Sequence, residues 1–575
     1  MLLFRDVAAV FDKIESKSGR LEMTDILADL FKKCTPLEAS KLCYLIQGII
    51  APPYEGLDLG MGERFALEAI ASATGYSKIE VEKHFKKSGD LGDTAQAYSS
   101  KKRQQYLYSN DLSLVYVFDS FLKIAKSSGS GSQESKIKVL IELLNNSEPI
   151  ESKYIVRFVN GSLRLGVGDP TILDSISVSN VGDKSLREKL ERAYNVCSDL
   201  GFVAKSFFTN PSSIEKFSVT PFKPLMPALA ERLNSPEEII EKIGECEVEM
   251  KYDGFRLQIH KKGNEVEFYS RKLEKMTAML PDVVEAVRKL PNSEIIFEGE
   301  ALAFDTSNNR FLPFQQTIQR RRKHGIEEAS KNFPLSVFVF DLIYLDGTDL
   351  TSEPYKKRRK MIEKIFAKTS LISPSTAKRV KSPLELDSIF QTSISSGLEG
   401  IIAKDLNAPY AAGKRKFAWI KLKKSYGKSV DTIDAVVVGY YLGQGQRAEF
   451  EFGGVLVAVY NSDTSKLETI AKVASGFSEE EMKSFAQELS LIKIPKPSIN
   501  LDYKIEVDFW VDPKVVVEVA FDEITESPNH TCNFKSGKGL ALRFPRLVKL
   551  REDKSISEIS TSDEVVHLFE LQRRL

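Results

Sequence analysis

Cysteine is scarce in this chain and unpatterned. The five residues Cys34, Cys43, Cys197, Cys246 and Cys532 form no Cys-x-x-Cys pair. That argues against a zinc ribbon or a disulfide frame and points to reduced, mostly buried thiols in an intracellular, cytoplasmic protein. No segment approaches the roughly 18 uninterrupted apolar residues of a membrane helix. The N-terminus, Met1-Leu-Leu-Phe-Arg-Asp-Val7, lacks the basic segment and apolar run of a secretory signal. An excess of one charge is missing too: 81 Lys and Arg against 80 Asp and Glu leave +1, so net charge gives no case for a nucleic-acid partner. The basic runs 101–103, 320–323 and 421–424 each read, taken singly, as solvated faces.

At 575 residues the chain is long enough for several domains. Up to residue 215 the pattern is helical: Leu42, Leu45, Ile46 and Ile49 keep helical spacing, as do Ile137, Leu140, Ile141 and Leu144. The run Ser127–Ser132 reads as a linker or loop. Arg157–Gly166 ends a helix and turns through Gly161 and Gly166. Its backbone amides, with Arg164 beside them, suit phosphate contact, although spacing alone favours an ordinary helix–helix corner. Pro221, Pro224 and Pro227 mark an extended junction. After it, strand-like runs at 247–260, 265–270, 294–304 and 335–345 alternate with helices such as the one after Pro281, giving a mixed α+β region. Beyond Lys424 the strands Ala435–Leu442, Gly454–Tyr460 and Val515–Ala520 surround one helix. That helix opens on a Ser478–Glu481 capping box and carries Met482, Phe485 and Leu489. A small β-barrel of the OB-fold type is expected there.

The chemistry is concentrated in the central region. In Glu249-Met-Lys-Tyr-Asp-Gly-Phe-Arg256 a strand ends in a tight turn bearing Lys251, Asp253, Gly254 and Arg256. A desolvated lysine among other cations can become a nucleophile. Glycine permits an unusual backbone or the close approach of a phosphate, and arginine offers a fork of donors for phosphate. Further on come Arg271, the same-face pair Glu298 and Glu300, Phe340 and Asp341, Glu399, and the alternating Lys421 and Lys423. Buried carboxylates on one strand and buried ammoniums on another are costly without partners. A nucleoside triphosphate with a divalent metal would supply both.

In that order, Glu249–Arg256, Ser270-Arg271, Phe297-Glu-Gly-Glu-Ala301, Val339-Phe-Asp-Leu342, Glu399-Gly-Ile-Ile-Ala-Lys404 and Trp419-Ile-Lys-Leu-Lys423 resemble the nucleotidyl-lysine motif series of replicative ATP-dependent DNA ligases of the archaeal and eukaryotic type. The likeness spans nearly the whole chain. Ala51–Gly56 and Gly161–Gly166 resemble the family's helical DNA-binding domain. Asp431–Ala435, Gly443–Gly445 with Arg447, and Arg543–Lys554 resemble its OB-fold domain. The resemblance implies a multidomain protein: an all-α DNA-binding domain (1–215), an α+β nucleotidyltransferase or adenylation domain (216–428) and a β-barrel OB-fold domain (429–575).

It also implies roles. Lys251 takes AMP from ATP. Glu249, Arg256, Arg271, Glu300, Phe340, Arg415, Lys421 and Lys423 bind ATP or AMP, with Glu249 accepting from the adenine amino group, Phe340 stacking on the base and Lys404 a further candidate. Glu300 and Glu399 hold Mg²⁺ or Mn²⁺, and Glu298 is a weaker candidate ligand. Arg164 and Phe314 contact DNA, and Arg551, Asp553 and Lys554 orient the pyrophosphate. A metal together with Arg256, Lys421 and Lys423 would favour the neutral amine of Lys251. The implied reaction seals 5′-phosphate/3′-hydroxyl nicks in duplex DNA during replication, repair and recombination, by a monomer that docks on a sliding clamp through residues 102–108. RNA ligases and RNA-capping guanylyltransferases share the lysine chemistry, but the large helical region before the core argues against both. A catalytically dead DNA-binding scaffold is the rival from another class.

Overall fold

The computed structural model describes the chain apart from residues 18, 104–110, 130, 164, 306–309, 313, 323, 368–370, 424–431, 444–451, 553 and 575, and apart from the side chains of residues 304, 305, 310, 311, 314, 315, 318, 415, 557, 573 and 574. It divides into two compact units. The first holds Met1–Arg232, Ile239–Glu385 and Ile402–Lys421; the second holds Leu233–Glu238, Leu386–Ile401 and Leu422–Leu575. None of the described helices is long and apolar enough to cross a membrane, and the five cysteines are free.

The first unit begins with a run of α-helices from Phe4–Glu15 to Leu200–Thr209. Their ends follow local chemistry. Before Pro36–Gln47, the Thr35 hydroxyl accepts from Glu38 N, the Glu38 carboxylate accepts from Thr35 N at 2.8 Å, and Pro36 fills the first helical position. Leu42, Leu45 and Ile46 face the core; Ile49 falls past the stop at Gly48 and is outside the helix. The helices Leu114–Lys126 and Ser132–Asn146 bound the run expected as a linker, and Ser132 itself starts the second helix.

The mixed region supplies β1 (Leu229–Arg232), β2 (Cys246–Lys251), β3 (Phe255–Lys262), β4 (Glu265–Ser270), β5 (Glu294–Asp305), β6 (Arg310–Phe311), β7 (Leu335–Leu345), β8 (Thr348–Asp349), β9 (Ile372–Pro374), β10 (Ala377–Val380), β11 (Gly400–Asp405) and β12 (Arg415–Lys423). They form two sheets, ordered β1-β12-β11-β2-β10 and β4-β3-β5-β7-β8, with β6 beside β5 and β9 beside β7. The run 247–260, expected as one strand, is therefore two strands in two sheets, broken at Tyr252-Asp-Gly254. One face of the seven-stranded sheet packs Phe297, Val339 and Leu257 against Val283 and Val287 of the helix Pro281–Arg288 and Ile362 and Phe366 of the helix Tyr355–Phe366. The alternate residues Ile296 and Ile343 join Val219, Leu225, Tyr410 and Trp419 in a second core, with Phe340 packed against it.

The proline junction is bolted to β3 rather than left as a free spacer. Phe222 N donates to His260 Nδ1 at 3.0 Å, Leu225 N to Gln258 Oε1 at 2.8 Å, and Gln258 Nε2 returns a bond to Leu225 O at 3.3 Å.

The second unit is strand-rich. Thr432–Tyr441, Gly454–Asn461 and Lys466–Val473 pair antiparallel in succession. Val516–Ala520 pairs with the first of these, and Arg546–Leu550 with Val516–Ala520. The Ser478–Glu481 capping box forms both its bonds, and the helix Glu479–Leu491 buries Met482, Phe485 and Leu489. A second helix, Ser562–Arg574, adds to the one expected.

Candidate active site

Lys251 is the last residue of β2, and Tyr252-Asp-Gly254 carries the chain into the other sheet. Gly254 is required by close packing: an added Cβ would lie 2.3 Å from the Ala301 carbonyl oxygen of β5. Tyr252 fixes the turn from within, its ring stacked on Phe338 at 4.5 Å and its hydroxyl accepting from Thr376 N at 3.0 Å.

Two residues before Lys251, the buried Glu249 accepts from the Tyr355 hydroxyl and pairs with Lys404 Nζ at 3.0 Å. Lys404 also donates to the Phe340 carbonyl at 2.6 Å and sits 4.4 Å from the Trp419 ring centroid, 4.7 Å from Tyr355 and 5.1 Å from Phe340. Burial pulls the pKa of this ammonium below its ordinary value, against the opposing pull of Glu249. One lysine thus links Glu249 to Phe340, whose half-buried ring meets Trp419 edge-on at 5.8 Å.

On β3, Arg256, Gln258 and His260 alternate onto one face, and the register sets Arg256 opposite Glu300 and Gln258 opposite Glu298. Glu298 is fully buried and engaged. It accepts from Arg256 Nε at 3.2 Å and Nη2 at 2.7 Å, from Tyr410 at 2.8 Å and from Gln258 at 3.3 Å. This corrects Glu298 as a candidate metal ligand, because its lone pairs are spent on protein donors. It also means that Arg256 brings a compensated charge to the site. Asp341 is likewise held by Arg358, at 2.7 and 3.1 Å. Tyr355, Tyr410, Gln258 and Arg358 were not singled out from the sequence. Only the alternation of Arg256, Gln258 and His260 could have drawn attention to one of them.

Arg271 is exposed after β4 and lines a cavity of about 530 Å³ with Tyr44, Gln47, Asp169, Tyr194 and Asp199 of the helical region. Glu300 and Lys421 are half-buried on β5 and β12. In the second unit, Lys423 Nζ lies 3.1 Å from Glu399 Oε2. The next residue, Gly400, has φ +142°, and a Cβ there would stand 2.1 Å from Leu422 O. Arg551 and Lys554 both bind Asp434, at 2.9 and 2.6 Å. Arg164 and Asp553 lie outside the described residues, as do the side chains of Arg415 and Phe314 and the segments 104–108, 424–431 and 444–447. Lys102, at the start of the clamp segment, is committed to a helix end: its Nζ donates to the carbonyls of Leu144, Asn145 and Ser147 at 2.6, 3.2 and 3.1 Å. Among the described residues no group of three or more His, Cys, Asp or Glu side chains converges as a metal cage.

A family model for the ATP dependent DNA ligase domain matches residues 227–423, one for the DNA ligase N terminus matches 3–177, and one for the ATP dependent DNA ligase C terminal region matches 448–554. A probable DNA ligase of Dictyoglomus thermophilum is 45% identical over 578 residues, covering 100% of this chain and 98% of its own. The chain belongs to the ATP-dependent DNA ligase family. The DNA ligase of Sulfurisphaera tokodaii is 40% identical to this ligase over 588 residues, covering 99% of this chain and 98% of its own. The solved structure titled Pmar-Lig_PreS3 shares the fold with a TM-score of 0.58 at 16% identity, covering 95% of this chain and 99% of that one.

Proposed function

We propose that this ligase joins nicked duplex DNA through three phosphoryl transfers centred on Lys251. The amine of Lys251 attacks the α-phosphorus of ATP; an N–P bond forms, the Pα–O bond to pyrophosphate breaks, and the amine proton leaves to solvent. AMP then passes to the 5′-phosphate of the nick, and the 3′-hydroxyl displaces it. What supports this reading most is the Glu249–Lys404–Phe340 link two residues from Lys251. It joins an acceptor suited to an adenine amino group to an aromatic ring suited to the base.

Arg271 is assigned to the ribose and later the 5′-phosphate, and Arg256 and Arg415 to AMP. Lys421 and Lys423 neutralise charge on the transferring phosphate. Glu300 and Glu399 are hard oxygen donors, and Mg²⁺ is usually held by one or two carboxylates plus substrate phosphates rather than by a protein cage, so each of these carboxylates has the chemistry to serve as its ligand. When bound, the ion would neutralise phosphate charge. Arg551, Asp553 and Lys554 are assigned to pyrophosphate, and Arg164 and Phe314 to DNA.

The same proposal divides the chain at 1–215, 216–428 and 429–575, reads the last part as an OB-fold barrel, and has a cytoplasmic monomer serve replication, repair and recombination. It includes Mn²⁺ as an alternative ion and a sliding clamp bound through residues 102–108.

The test is label transfer. Protein incubated with α-labelled ATP should carry a lysine phosphoramidate, and Lys251→Ala should carry none while still binding nicked duplex. Labelling by GTP alone, or sealing from ATP by the variant, would remove the assignment.

A further inference from the structure

Arg551 and Lys554 share one carboxylate, an oxygen each: Arg551 Nη1 donates to Asp434 Oδ1 at 2.9 Å and Lys554 Nζ to Asp434 Oδ2 at 2.6 Å. Both cations leave a single turn, closed by Lys554 N to Arg551 O at 3.0 Å, just after the strand Arg546–Leu550. Asp434 is fixed from behind. Its N–H donates to Ser560 Oγ at 3.3 Å and its carbonyl accepts from Ser560 N at 2.8 Å. Its cross-strand partner is Glu518, which lies 3.8 Å from Arg551 and 3.6 Å from Lys549.

Two carboxylates directly opposite each other on adjacent strands repel. The cations between them make the arrangement tolerable, and the shared Asp434 carboxylate in turn offsets the repulsion between Arg551 and Lys554. Among the described residues in contact here, Lys549, Arg551 and Lys554 against Asp434 and Glu518 leave one positive charge in excess. Arg551 and Asp434 are only 16% and 15% exposed, so that charge is held with little freedom. Such a cluster complements a polyphosphate. Arginine has five N–H donors and an ammonium three, the donor types that suit phosphate oxygens.

We infer that Asp434 is a positioning residue for lysine adenylation, holding Arg551 and Lys554 in the arrangement in which they meet the β- and γ-phosphates of ATP. The inference rests on the reading above that these two cations orient pyrophosphate. A side chain that acts only as a brace for the β-rich unit would matter equally to every step of the reaction. A positioning residue matters to the step with a pyrophosphate leaving group.

The experiment compares Asp434→Asn with Arg551→Ala and Lys554→Ala in the full chain, at two rates. One is single-turnover label transfer from α-labelled ATP to Lys251. The other is sealing of a pre-adenylylated nick without ATP, in which no pyrophosphate leaves. Asp434→Asn should slow label transfer about 10- to 100-fold, as misplacement of catalytic groups commonly does, and keep sealing within about twofold. Asp434→Glu, which retains the charge, should regain most of the label transfer. Label transfer at the wild-type rate in Asp434→Asn, a parallel fall in both rates, or no regain in Asp434→Glu would each overturn the inference. If Arg551→Ala and Lys554→Ala transfer label normally, the pyrophosphate reading itself fails; if they are slow and Asp434→Asn is not, only the role of Asp434 fails.

Discussion

Arg256 and Glu298 meet in parallel, Nε to Oε1 at 3.2 Å and Nη2 to Oε2 at 2.7 Å, in a setting where the carboxylate side chain is 1% exposed. A bidentate pair of this kind is rigid, and in a buried site each partner is the other's main compensation. Glu298→Ala should therefore cost about 3–5 kcal/mol of stability, because it leaves an unpaired buried guanidinium. Arg256→Met combined with Glu298→Leu should recover most of that loss yet abolish label transfer from ATP, because Arg256 is assigned to AMP. Urea unfolding of the three proteins checks the first statement, and the labelling assay the second.

Gly254→Ala tests the packing of the turn. A methyl group 2.3 Å from the Ala301 carbonyl oxygen must push either the turn or β5 aside. Overpacking of this sort costs about 1–3 kcal/mol. The displaced turn carries Lys251, so adenylation should fall by more than the stability loss explains, on the order of 100-fold. A thermal melt beside single-turnover labelling separates the two effects.

His260 should make the first unit sensitive to acid. Its ring is fully buried, and burial pushes its pKa down from 6.5 to about 3. Nδ1 accepts from Phe222 N, so the neutral ring fits the site and an added proton does not. A base whose folded pKa is depressed gives stability that is complete above pH 6.5 and is lost as the pH falls toward 3. The slope approaches about 1.4 kcal/mol per pH unit from this one group. His260→Asn should start less stable at pH 7 and show a shallower decline between pH 6.5 and 4, measured as urea midpoints.

Tyr106→Ala with Tyr108→Ala should weaken binding to a sliding clamp and leave sealing of a short nicked duplex unchanged. Lys102→Met should instead lower thermal stability, because that ammonium closes the end of the helix Ser132–Asn146. Unaltered clamp affinity in the tyrosine variant would remove residues 102–108 as a docking segment.

The strands that carry chemistry were legible because their apolar residues alternate. Phe297 and Val339 mark one face of a sheet, Ile296 and Ile343 the other, and this pattern is local. The capping box at Ser478 announced its helix for the same reason. Thr561-Ser-Asp-Glu564 is the same signal, with Thr561 N donating to Glu564 at 2.9 Å, and it would have announced Ser562–Arg574. What could not be read was pairing at a distance. That Glu298 belongs to Arg256 and Tyr410, or Asp341 to Arg358, depends on which strands become neighbours, and no spacing in the chain encodes it. The run 247–260 misled for a related reason: Lys251 and Phe255 are both strand residues with only three between them, and nothing local says that the sheet changes there.

That change of sheet has a practical consequence. Because Lys251 ends a strand of one sheet and Arg256 lies near the start of a strand in the other, the distance between nucleophile and cation is governed by two sheet layers that share the core of Ile296, Ile343 and Trp419. Substitutions in either layer, such as Val248 in one or Leu257 in the other, offer a way to retune the reacting geometry without altering a residue of the turn itself.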